Sequence, residues 1–245
     1  MYIKGLVNAI YGASKLLHRD YRELAMMQSG SSNTSSFASR AYKRTKNALI
    51  EELERYKMPI TSTSESDLFI VEKPNKQSFI MISPIDSIVN FQKSLPFFAS
   101  SIAYIEWIED KHVVTHGAMY FPVLGEIYYA QKGSGCWKET FGPNAGSNTQ
   151  SMRMRISSQR LNKSDIIIVT DHHSKVLEYK NIRIFDSHCY DVSLLLQSKI
   201  DAVLHFAQNQ IGAVLTLMVQ ESGGIIKNTS ESFIYCNSNT LDQIL

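Results

Sequence analysis

The chain has 245 residues, with 25 Lys plus Arg against 23 Asp plus Glu, and a formal charge of +2. That near balance supplies no basic excess of the kind electrostatic nucleic-acid binding needs, so no direct nucleic-acid contact is expected. Hydrophobic residues at 44% and charged residues at 20% form a globular composition, which argues against a disordered chain.

Leu6, Val7, Ile10, Ala13, Leu16, Leu17, Tyr21 and Leu24 recur at spacings of three and four, so residues 3–28 are expected to form an amphipathic helix. The polar stretch 29–36 should break it. A second helix is expected from Phe37 to Tyr56, with the Lys and Arg run at 43–46 on a solvated face. From Leu68 the pattern turns to strands at 68–72, 78–82, 99–108, 113–120 and 126–130, rich in Ile, Val, Phe and Tyr. Asp110-Lys111 and Lys132-Gly133-Ser134-Gly135 mark turns, and 141–151 is a polar loop. Strand (165–170), short helix (172–179), strand (182–185), helix (189–198) and strand (201–206) follow. A helix over 211–221 should stop at Gly223-Gly224, and strands should close the chain. The expected organisation is a single unit over 1–245, with an N-terminal α+β half over 1–150 and a C-terminal α/β half over 151–245.

Cys136, Cys189 and Cys236 are odd in number and widely spaced, as in a reducing compartment rather than a disulfide framework or zinc site. Charged residues interrupt the first 27 positions, so no signal peptide is expected, and no apolar run reaches about 18 residues, so no membrane span is expected. A cytoplasmic location is the expectation.

The most informative segment is Ser83-Pro84-Ile85-Asp86-Ser87-Ile88-Val89-Asn90-Phe91. It resembles the DPIDGTTNF signature of the inositol monophosphatase family, magnesium-dependent phosphomonoesterases whose layered αβαβα fold is shared with fructose bisphosphatases. The resemblance extends along the chain: Phe69 to Lys73 is similar to FIGEE, and Gly117 to Val123 with Glu126 and Gly133 to the family's strand pair. Asp191 and Asp201 fall in its LDLA and RLDG segments, and Glu221 to Gly224 is similar to its EAGG helix end. It implies an α+β, αβαβα layered sandwich of the sugar-phosphatase type.

What the resemblance implies for the site follows residue by residue. Glu72 and Asp86 match metal-binding carboxylates, and the Ile85 main-chain carbonyl matches a third ligand. Ser83 replaces a bridging aspartate and Ile211 replaces the aspartate of a late WDxAAG motif. Ile88 stands for the water-orienting threonine and Tyr42 for an aspartate of an early helix. Each lost carboxylate removes a full charge from a site that must hold divalent cations, worth several kcal/mol at about 4 Å. At most a single weak Mg²⁺ is expected on Glu72 and Asp86, with the alternative that these are acidic residues capping or pairing locally. Ser87 and Ile88 retain backbone amides for an anion, and His205 falls near a substrate-binding glutamate, although a core or surface histidine is the plainer reading.

His172 and His173 read as solvated residues rather than a metal cluster, since neighbours point apart. Cys189 beside His188 cannot form a nucleophile and base on one helix face. The expectation is a family member, commonly dimeric, that has lost most of its activity and binds a small phosphorylated ligand or a protein; some relatives associate with transcription machinery. The alternative is a weak Mg²⁺-dependent phosphomonoesterase acting through Glu72, Asp86, the Ile85 carbonyl and water.

Overall fold

A computed structural model describes residues 3–27, 32–62, 76–140, 151–159, 162–172, 179–206, 212–229 and 232–244. Five layers stack in the order αβαβα. Helices α1 (Ile3–Met26) and α2 (Ser32–Glu54) cover one face of a seven-stranded sheet. Its strands run in sequence order: β1 (Ile60–Ser62), β2 (Phe79–Ser83), β3 (Ser100–Ile108), β4 (Lys111–Phe121), β5 (Glu126–Gln131), β6 (Gly135–Thr140) and β7 (Met152–Arg153). All neighbours are antiparallel except β1 and β2. A short α3 (Ile88–Gln92) follows β2. Helices α4 (His188–Leu196) and α5 (Gly212–Glu221) form the middle layer.

Beyond them lies a five-stranded sheet of β8 (Ile167–Thr170), β9 (Asn181–Arg183), β10 (Ala202–His205), β11 (Ile225–Asn228) and β12 (Phe233–Cys236), in the order β11-β12-β10-β8-β9. The β10-β8-β9 portion is parallel. Helix α6 (Ser238–Ile244) closes the outer face, with Leu241 and Ile244 packed on Ile168, Leu204 and Ile234.

The period-2 alternation of β2 serves both neighbouring layers. Phe79 and Met81 join the central core with Val192, Leu195, Val214 and Val203. Ile80 and Ile82 pack against Leu6, Ile10, Leu49 and Leu53 of the helix pair. Because both faces are covered, β2 is buried throughout and reads as a continuous apolar run.

Several boundaries differ from the sequence reading. Helix α2 begins at Ser32, inside the polar stretch assigned as a break, because Ser and Asn serve a first helical turn well; Ser36 Oγ bonds back to the Asn33 carbonyl at 3.1 Å. The 43–46 run is not merely a solvated face. Arg44 pairs with Asp20, whose side chain is buried in α1, and so fastens the two helices. The first hairpin turns on Glu109 and Asp110, both at positive φ (48° and 57°), one residue before the expected pair. The chain closes on α6 rather than on strands. Asn237 Oδ1 caps that helix, accepting from Asn239 N (2.8 Å) and Thr240 N (2.9 Å). The strand expected at 68–72 and the body of the helix expected at 172–179 lie outside the described residues, whereas Gly223, at φ +81°, ends α5 as the sequence indicates.

Candidate functional site

The segment 83–91 lies where β2 leaves the first sheet and meets the amino end of α4. Ser83 is the last, buried residue of β2, opposite Ser101 of β3. The next two residues are anchored from both sides. The Pro84 carbonyl accepts from Ser100 Oγ (2.6 Å), which is bonded to Ser14 Oγ of α1 at 2.9 Å. Ile85 enters a buried cluster that also holds Tyr42, Leu17, Phe91 and Phe98, so positions 42 and 85 share one hydrophobic cluster.

Asp86 is the hub. Oδ1 accepts the Ala99 amide at 2.6 Å, and Oδ2 accepts Ser187 Oγ at 2.6 Å and the Cys189 amide at 3.1 Å. Ser187 is the N-cap of α4, its oxygen also accepting from Tyr190 N at 3.2 Å. Asp86 therefore ties the β2–α3 connection to β3 and places a carboxylate on the first turn of α4, where the helix field favours negative charge. Burial pushes its pKa up despite these bonds. Asn90 completes the frame, donating Nδ2 to the carbonyls of Phe97 (2.8 Å) and Phe185 (2.6 Å).

Ser87, the N-cap position of α3, makes no side-chain cap bond, and among the described residues its buried hydroxyl has no hydrogen-bond partner. Ile88 begins α3 partly exposed. Glu72, Ile211 and His173 lie outside the described residues, while His172 is exposed.

Four polar residues absent from the motif gather at the carboxyl ends of β8 and β10, the usual binding edge of a parallel sheet. His205 Nε2 lies 3.0 Å from Asp191 Oδ2, and its ring stacks on that of His188 at 3.8 Å between centroids. His188 Nε2 lies 3.7 Å from Asp171 Oδ2. Burial drives the Asp191 pKa well up and that of His205 well down. The sequence points to Asp191, His188 and His205 separately, but nothing local links positions 171, 188, 191 and 205 into one group. Cys189 is no nucleophile: its thiol is buried and its pKa raised by that burial.

A model of the inositol monophosphatase family matches residues 2–241. This chain belongs to that family. The Caulobacter vibrioides inositol-1-monophosphatase is 24% identical over 243 residues, covering 93% of this chain and 89% of its own. The Nus factor SuhB of Buchnera aphidicola is 24% identical over 209 residues, covering 79% and 73%. In three dimensions the extragenic suppressor protein suhB of Bartonella henselae aligns with a TM-score of 0.75 at 23% identity, over 99% of this chain and 95% of that one. The αβαβα layering is thus the family fold. Family members are generally Mg²⁺-dependent, and among the described residues no group of three or more His, Cys, Asp or Glu side chains is arranged to hold a metal ion.

Proposed function

We propose that this family member binds a small phosphorylated ligand at the 83–91 segment and hydrolyses it weakly or not at all. The observation that carries this reading is the use made of Asp86. Both of its oxygens accept hydrogen bonds from the protein, three in all, and Ser83 beside it offers only a neutral oxygen. Two Mg²⁺ ions need several anionic oxygens within reach, so the described donors do not fit a two-ion site. Tyr42 and Ile88, at the positions of the water-orienting groups, carry no carboxylate, and Tyr42 is packed among apolar side chains. Anion binding has separate support in the unpartnered Ser87 hydroxyl and the adjoining first amides of α3.

Calorimetry with inositol 1-phosphate, with and without Mg²⁺, tests the reading alongside a hydrolysis assay. Ligand binding that persists in EDTA, with turnover no greater than that of Glu72→Gln, is expected. Two Mg²⁺ bound at low millimolar concentration or tighter, with turnover above that control, would establish the magnesium-dependent phosphomonoesterase instead.

Two further features belong to this reading. The curated relatives called Nus factors make a protein partner in the transcription machinery part of it. A homodimer is the second: Val89, Leu95 and Ile184 are exposed at 54%, 44% and 49%, and the latter two flank the Phe97–Phe185 ring contact in sequence.

A further inference from the structure

We propose that a depression at the carboxyl end of α5 is a second binding site, for a small molecule carrying a phosphate or comparable dianionic group. The cavity has a volume of about 430 Å³ and is lined chiefly by Arg153, Arg155, Gln220, Glu221 and Ser222. It lies at the opposite end of α5 from Gly212, which borders Tyr235 and through it His205. The ten residues of α5, at 1.5 Å each, put about 15 Å between this depression and Gly212.

Arg153 is set in place before any ligand arrives. It pairs with Trp137 across β6 and β7, and its guanidinium carbon sits 5.8 Å from the centre of that indole ring. Gly135 lets the backbone close on that guanidinium: a Cβ there would come within 3.0 Å of Arg153 Nε, and the φ of +88° also favours glycine. Among the described residues neither Arg153 nor Arg155 forms an ion pair. Glu221 is the acidic group on the wall, and its two oxygens are taken up by the amides of Gly133 (2.7 Å) and Gly135 (2.8 Å). Two arginines therefore line one cavity, neither committed to a carboxylate among the described residues. A guanidinium matches two oxygens of a phosphate or carboxylate at once. The volume falls in the small-molecule range of about 300–1,000 Å³, which favours a compact ligand over a nucleic-acid strand.

The two tryptophans make the test local. In a Trp107→Phe background Trp137 is the sole indole, and inorganic phosphate is titrated at constant ionic strength against chloride. A saturable change in Trp137 fluorescence is expected. Arg155→Gln should weaken it at least about tenfold, as loss of a charge-assisted contact does, and Arg153→Gln with Arg155→Gln should abolish it. Both arginines are exposed, so the variants should keep the parent's circular dichroism; if the double variant does not, Arg155→Gln alone decides. An unsaturable response, an equal response to chloride, or one that survives in the arginine variants overturns the site. Tighter binding of a single-stranded oligonucleotide through the same arginines overturns the small-molecule assignment. Ser87→Ala should leave this titration unchanged, which separates its failure from failure of the function proposed for 83–91.

Discussion

Asp86→Ala removes the one acceptor shared by three donors from two places in the chain, Ala99 and the amino end of α4. The Ser187 hydroxyl can turn elsewhere, since it also serves Tyr190 N, but the amides of Ala99 and Cys189 lie beside fully buried side chains and cannot. Each buried donor left unsatisfied costs about 1–3 kcal/mol. The raised pKa of Asp86 shows that burial already works against its charge, which offsets part of the loss, so the net effect should be about 3 kcal/mol. For a chain of this length that corresponds to a fall in Tm of about 6–12 °C. Asp86→Asn keeps one acceptor oxygen and should lose about half as much. Urea unfolding followed by circular dichroism in EDTA at pH 7 measures both. The reasoning is refuted if Asp86→Ala stays within about 0.5 kcal/mol of the parent in EDTA while Mg²⁺ stabilises only the parent, because Asp86 would then be a metal ligand first and a structural tie second.

His205 should impose a pH dependence of definite sign. The unfolded imidazole titrates near 6.5 and burial holds the folded one well below that, so acidification through 6.5 protonates the unfolded chain preferentially and lowers stability. His205→Gln should flatten this loss between pH 6.5 and about 5 in pH-dependent urea unfolding; an unchanged slope would contradict it. The raised Asp191 acts oppositely, gaining stability as pH falls, so only the difference between variant and parent is diagnostic. For the dimer, light scattering should give twice the 27.8 kDa chain mass, and Leu95→Glu should return it to one copy; a monomeric parent removes that part of the reading.

Much of the fold was legible because apolar periodicity survives in single segments. The stripe from Leu6 to Leu24 and the runs at 78–82, 99–108 and 113–120 emerge as α1, β2, β3 and β4 within a few residues. Strand β6, Gly135–Thr140, was not read, because GCWKET shows no clean alternation and becomes a strand through its pairing with β5. Helix α6 was missed although its signal was present: Asn237 as cap, followed by Leu241 and Ile244 at helical spacing. Of the candidate site, the motif places Ser83, Ile85, Asp86 and Ser87 on one segment, which leaves β2 at Ser83. It could not disclose that Asp86 is bound to Ser187 and Cys189, 101 and 103 residues away.

The composition of +2 is where sequence alone reached furthest. The resemblance sets Tyr42, Ser83 and Ile211 against aspartates, and three aspartates there would take the total from +2 to −1. What remained for the tertiary structure was the use of the charges still present. Hydrogen bonds act over about 3 Å, whereas sequence order places Asp86 far from α4 and His205 far from His188. Only the packing of β2, α4 and the carboxyl ends of β8 and β10 makes Asp86 a tie between layers and pairs Asp191 with His205 under burial, and only the approach of β7 to the end of α5 brings Arg153 and Arg155 to one cavity.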